Sequence, residues 1–176
     1  MSLTTADVIH SFWFPAMGGK RDVIPARTNR MWFTPEAIGT YPGQCAELCG
    51  VSHANMRMKL MVQSREDFDA WVAEQQRPPV EPDSTSLAGQ GKQVFLTMGC
   101  VACHTIAGVS PGTIGPNLTH VGTRTSIAGT LYPNTPQDMA KWIQDPPARK
   151  PGSIMPKLGL APDQIAAVVA YLQSLK

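Results

Sequence analysis

Two short stretches hold all four cysteines of this chain and two of its four histidines. The first, QCAELCGVSHANM (44–56), places Cys45, Cys49, His53 and Met56 within twelve residues. The second, CVACH (100–104), is the C-x-x-C-H pattern of c-type haem attachment, in which each thiol adds across a vinyl group and the adjacent His104 lies under the iron. The alternative for CVACH is a redox or zinc C-x-x-C that happens to precede a histidine. The first stretch admits three readings: a Cys45–Cys49 disulfide, a zinc site completed by His53 and one further ligand, or copper. Thioether has no role at zinc, whereas thiolate, imidazole and thioether together favour copper. A mononuclear copper site of this kind takes one cysteine, two histidines and a weak methionine. The second thiolate here suits a second copper.

These side chains need elements to position them. DVIHSFWFP (7–15) supplies a further histidine, His10, and its alternation reads as a strand with Val8, His10 and Phe12 on one face and Ile9 and Trp13 toward the other. MRMKLMV (56–62) alternates too, with Met56, Met58, Leu60 and Val62 inward and Arg57 and Lys59 outward. Met56 falls at the metal end of that inward face, where plain core filling is the alternative. EDFDAWVAEQQ reads as a short amphipathic helix with Phe68, Trp71 and Val72 on one side. RPPVEPDSTS (77–86) is a stiff, exposed linker. Beyond it, GKQVFLTMG (91–99) leads into the haem motif as a helix, with Gly91 and Phe95 on one face. PDQIAAVVAYLQSLK (162–176) carries Ile165, Val168, Val169 and Leu172 on one stripe, with Tyr171 beside it. A glycine at 91 lets the two helices cross closely.

The sixth iron ligand requires a soft donor on a loop. KPGSIMPK (150–157) offers Met155 between prolines, and His/Met ligation suits electron transfer. Met139 lies in a helical stretch and reads as core, and His120 as a surface residue. On these motifs residues 87–176 resemble a class I cytochrome c domain. The resemblance implies that the carbonyl of Pro116 in GPNL (115–118) accepts from Nδ1–H of His104, leaving Nε2 for iron. Arg124 and Trp142 are candidate haem-propionate contacts, with ordinary packing or surface roles as the alternative.

Composition narrows the function. Charged residues make up 16% of the chain, and the net charge of +2 argues against nucleic acid. Residues 1–86 hold eight Lys/Arg and ten Asp/Glu, residues 87–176 seven and three, which suggests two units. No apolar run approaches the ~18 residues that cross a bilayer, and the start shows no signal peptide. No nucleophile–base pairing and no phosphate loop points to chemistry on an organic substrate.

DVIHSFW, RTNRMWF and YPGQCAELCGVSHANM together resemble the copper-binding part of cytochrome c oxidase subunit II over residues 5–73. The resemblance implies a dinuclear CuA centre. His10 and His53 each bind one copper, Cys45 and Cys49 bridge both, and Met56 and the Glu47 backbone carbonyl complete the set. The Glu47 carboxylate then faces a magnesium site shared with subunit I. The expected architecture is multi-domain: a partial all-β, cupredoxin-like Greek-key unit (1–76), a linker (77–86) and an all-α cytochrome c domain (87–176). The family's N-terminal strands and membrane helices are missing from this chain, so membrane association runs through the complex or that missing segment. The fusion resembles the caa₃-type subunit II, which passes electrons from a soluble donor through haem c and CuA to the oxygen-reducing subunit I, on the periplasmic face. Other readings are electron delivery to a CuA-containing nitric oxide reductase, a copper-binding or assembly module, and a cytochrome c domain beside a non-functional copper fragment.

Overall fold

The computed structural model describes residues 1–176. The chain divides into two compact units, Met1–Val72 with Gly129–Leu131, and Ala73–Ala128 with Tyr132–Lys176. No helix is long and apolar enough to cross a membrane.

The first unit is built from strands β1 (Ser2–Leu3), β2 (His10–Trp13), β3 (Arg21–Val23), β4 (Asn29–Arg30), β5 (Gly39–Cys45) and β6 (Arg57–Val62), followed by helix α1 (Arg65–Gln75). Its main sheet is antiparallel in the order β3-β2-β5-β6, and β1 pairs separately with β4. Strand β6 alternates as expected: Met58, Leu60 and Val62 are half-buried while Arg57, Lys59 and Met61 are exposed. The strand around His10 is shorter than its alternation suggests. It begins at His10, and Val8 and Ile9 lie before it, exposed. Phe14 seals the sheet where Phe12 pairs with Cys45. A Cβ on Gly43 would stand 2.5 Å from the Phe14 ring, so glycine is what lets this aromatic close over β5. Helix α1 differs from its sequence reading. It buries no residue, and Phe68 and Trp71 stack on each other at 5.8 Å while staying exposed. Its arginine and acidic residues solvate the rest of its surface, but nothing within the unit covers the aromatic side.

Between α1 and α2 there is no helix or strand. The second unit runs α2 (Leu87–Thr97), β7 (Thr105–Ile106), β8 (Ser110–Pro111), β9 (Ser126–Ile127), β10 (Tyr132–Pro133), α3 (Pro136–Gln144), α4 (Pro146–Arg149) and α5 (Pro162–Ser174). The paired strands are two-residue hairpins set into a helical frame. Helix α2 starts four residues before GKQVFLTMG because Ser86 caps it, its Oγ accepting from Gly89 N at 3.0 Å. Thr135 and Asp145 cap α3 and α4 in the same way, each just before a proline at the first helical position. The core joins Phe95 of α2 with Ile165, Val168, Val169, Tyr171 and Leu172 of α5, and adds Ile106, Leu118, Val121, Met139 and Ile143. Helices α2 and α5 cross at Gly91, where an added Cβ would lie 1.8 Å from the Ala167 carbonyl oxygen. Phe95 and Tyr171 meet edge-on beside this crossing, 5.8 Å apart.

Candidate functional sites

In the first unit, β2 and β5 deliver His10 and Cys45 to one end of the sheet. Two backbone bonds hold the loop that follows: Ala46 N donates to Ser11 O and Cys45 N to Met56 O, both at 2.9 Å. Within that loop Gly50 and Ser52 take positive φ (106° and 64°), turning the chain so that His53 and Met56 come back toward the cysteines.

The donors grouped by spacing converge. Cys45 Sγ lies 3.8 Å from Cys49 Sγ, 3.9 Å from His10 Nδ1 and 3.3 Å from the Glu47 carbonyl oxygen. Cys49 Sγ lies 3.4 Å from His53 Nδ1 and 3.7 Å from Met56 Sδ. The sulfurs are far beyond the ~2.05 Å of a disulfide, and both thiols are free. Each thiol thus faces one imidazole and one weaker donor, and the two thiols face each other. That donor set fits two soft metal ions bridged by sulfur better than a single zinc. Cys45 is buried, Cys49, His10 and His53 are half-buried, and Met56 is at the rim. Burial opposes ionisation of Cys45, but hydrogen bonding to the Ser11 and Glu47 backbone, His10 and Cys49 outweighs it and brings the thiol down to about 7. Burial and the neighbouring Cys45 push Cys49 up. One thiolate is therefore ready near neutral pH, and the second forms most readily when a cation arrives.

One residue of this site was not singled out from the sequence. Asp7 Oδ1 accepts from His10 Nε2 at 2.8 Å, which directs Nδ1 toward the thiols. Thr5 Oγ1 donates to the same carboxylate at 2.6 Å, and Thr5 and His10 hold Asp7 at about 2. The bond to Asp7 in turn raises His10. The only signal in the sequence was an acid three residues before the histidine. The Glu47 side chain is exposed, and His10, Cys45 and Cys49 form the one cluster of acidic, thiol or imidazole groups with metal-binding spacing in the chain. A magnesium ion at Glu47 would need its other ligands from elsewhere.

In the second unit, Gly99 at φ 84° ends the α2 segment and starts the turn Cys100–Ala102. His104 follows at the mouth of the β7–β8 hairpin. Its Nδ1 donates to Pro116 O at 2.9 Å, and its Nε2 makes no hydrogen bond. Two glycines make this approach possible: a Cβ on Gly115 would stand 2.6 Å from the His104 ring, and one on Gly112 2.7 Å from the backbone of Cys103 and His104. Cys100 and Cys103 are half-buried free thiols, and burial pushes Cys100 up. Met155 is half-buried on the irregular segment after α4, its sulfur without a hydrogen-bond partner. Met139 is core: it is 2% exposed, and its sulfur accepts from Gln173 Nε2 at 3.8 Å. His120 corrects its sequence reading. It is 7% exposed, because the turn after GPNL docks against the end of α5 through Gly122 N to Leu175 O at 2.8 Å. Arg124 donates from Nη2 to Asn117 O, and the Trp142 indole packs on the core with its N–H free of any protein acceptor. An imidazole with one nitrogen fixed and the other free, beside two thiols, fits a covalently attached haem.

A sheet unit with a thiol–imidazole–thioether cluster is thus followed by a helical unit with a C-x-x-C-H histidine, two donor sets of the kind that hold redox groups. Residues 1–64 match the model of the cytochrome c oxidase subunit II periplasmic domain, and residues 88–176 that of cytochrome c. The chain therefore belongs to the cytochrome c family, and its residues 1–64 are similar to the periplasmic domain of cytochrome c oxidase subunit II. It is 43% identical to cytochrome c oxidase subunit 2 of Alkalihalophilus pseudofirmus, over 99% of this chain and 50% of that protein. It is 37% identical to the subunit 2 of Bacillus sp. PS3, over 99% of this chain and 52% of that protein. Among solved structures, the periplasmic domain of cytochrome oxidase subunit II of Bradyrhizobium japonicum is 46% identical over 41% of this chain and 52% of that one, with a TM-score of 0.40. The chain spans about half the length of the curated relatives it matches.

Proposed function

We propose that this chain is the electron-relay portion of a caa₃-type cytochrome c oxidase subunit II, taking electrons from a soluble donor and passing them toward the oxygen-reducing subunit I on the extracytoplasmic face of the membrane. Residues 1–76 form its copper unit, 77–86 the linker and 87–176 the haem unit. The observation that carries the reading is the convergence of His10, Cys45, the Glu47 carbonyl, Cys49, His53 and Met56 on two facing thiols. When bound, a CuA copper pair and haem c each supply one-electron redox chemistry.

The residues supply the rest. Cys45 and Cys49 would hold the copper pair through their thiolates, and the pair would supply one-electron transfer there. His10 and His53 would each add an imidazole to the pair, with Asp7 orienting His10. Met56 and the Glu47 carbonyl act as weak outer donors, and the Glu47 carboxylate contributes to a magnesium site with subunit I. Cys100 and Cys103 tether the haem. His104, held by Pro116, and Met155 would hold the haem iron, and Arg124 and Trp142 would serve its propionates.

The test is transient photoreduction of the haem in chain loaded with haem and copper. First-order reoxidation of haem, independent of protein concentration and absent after copper removal, is expected. A haem that stays reduced regardless of copper loading would contradict the relay.

A further inference from the structure

The segment between α1 and α2 is anchored at both ends. At its start, Arg77 N donates to Glu74 O at 3.1 Å and the Arg77 guanidinium pairs with the Glu74 carboxylate at 3.0 Å, which ties Arg77 to the end of α1. Toward its end the chain turns back on α2. Ser86 N donates to Asp83 O at 3.0 Å, and Thr85 N and Thr85 Oγ1 each donate to the Asp83 carboxylate at 2.8 Å. This turn lies against buried Gly89, where an added Cβ would stand 2.2 Å from Asp83 O and 2.7 Å from Ser84 Cα. Upstream of the turn, Glu81 pairs with Lys92, eleven residues on.

Lys92 is half-buried, so this ion pair is screened less than one between two exposed groups. Glu81 is also felt in the core: burial, and then the Glu81 charge, push the Tyr171 phenol at the α2–α5 crossing up to about 12. Residues 81–86 are thus held on the helical unit. Only Pro78, Pro79 and Val80 lie between the two anchors. At about 3.1 Å per residue those three reach about 9 Å, against about 28 Å for residues 78–86 fully released.

We propose that residues 81–86 are a strap, closed by the Glu81–Lys92 pair and seated on Gly89, which leaves residues 78–80 as the only free tether between the two units. The inference rests on the relay reading above and adds what sets the encounter of haem with copper: a short tether keeps the haem unit at high effective concentration. That concentration falls with roughly the −3/2 power of tether length. Opening the Glu81–Lys92 pair frees five residues, 78–82, and lowers it about twofold. Opening the turn as well frees nine, 78–86, and lowers it about fivefold.

The experiment is first-order reoxidation of photoreduced haem by oxidised copper, one electron per event, in the full chain loaded with both groups. Glu81→Gln and Lys92→Met are each expected to slow it about twofold, and Glu81→Gln with Gly89→Ala about fivefold. The charge exchange Glu81→Lys with Lys92→Glu recovers the parent rate, and loss of an exposed cation in Lys141→Met leaves it unchanged. Hydrogen exchange reads the strap without copper: the Thr85 and Ser86 amides are expected to be protected in the parent and to open in Gly89→Ala. A parental rate in the Glu81→Gln, Gly89→Ala variant overturns the proposal, as do Thr85 and Ser86 amides that exchange in the parent as fast as that of Val80. Should Gly89→Ala fail to take up haem, Asp83→Ala, which removes the acceptor of both Thr85 bonds, decides by the same comparison. Absence of concentration-independent reoxidation from the parent would instead overturn the relay reading, and amide exchange alone then decides the strap.

Discussion

At the scale of single residues, the copper-side cluster is organised by who orients whom. His10 has one nitrogen toward Cys45 and the other on Asp7. Outer carboxylates of this kind typically change metal affinity by about 10–100-fold. Asp7→Asn is expected to weaken copper binding by about that factor, read by competition with a chromophoric chelator; an unchanged affinity would show that strand β2 alone orients the ring. Thr5→Val should give a smaller loss in the same direction, since Thr5 holds Asp7 and not the imidazole. Most donors were legible in the sequence because they sit within twelve residues or in a five-residue motif, where covalent spacing limits the geometry. Asp7 was not, since its role depends on a turn that brings residue 7 back to residue 10. Nor was the burial of His120, which comes from long-range docking on the end of α5 that no local pattern encodes.

At the scale of elements, the α2–α5 crossing holds the haem motif in place. Gly91 permits it, and Tyr171 fills it at 1% exposure. Gly91→Ala forces the helices apart, and overpacking of this kind costs about 1–3 kcal/mol; denaturant unfolding of the haem-loaded chain is expected to show at least that loss. Tyr171 adds a pH dependence. Burial, with Glu81 adding, raises its phenol from 10.0 to about 12. The unfolded chain therefore releases this proton first, so the stability is whole below pH 10 and is lost as pH rises toward about 12. Melting temperatures should fall across that window, and Tyr171→Phe should flatten this part of the decline. A variant as alkali-sensitive as the parent would place the sensitivity elsewhere. The α5 stripe and the Gly91 face were readable from the 3.6-residue period. The uncovered aromatic side of α1 was not, because periodicity reports which face is apolar and not whether a partner covers it.

At the scale of the whole molecule, the two units are unequally stabilised by their own side chains. In the first, Phe14 and Val23 are the nearly fully buried large hydrophobics beside Cys45, whereas the second has a twelve-residue core. A fully buried large side chain contributes about 1.5–3 kcal/mol, while ordering each residue costs about 1–2 kcal/mol, so on the proposed function metal–ligand bonds are expected to carry a larger share in the first unit. Copper chelation is expected to lower a first calorimetric transition and leave a second, haem-unit transition in place. Both transitions moving together would contradict that division.

The most direct measurement is electron paramagnetic resonance, with metal analysis, on the haem-matured chain reconstituted with copper. Two coppers per haem, with hyperfine splitting from one spin shared equally by both nuclei, is the predicted result. Copper bound as an isolated ion, or retained equally in Cys45→Ser with an unchanged spectrum, would contradict the bridged centre on which the relay depends.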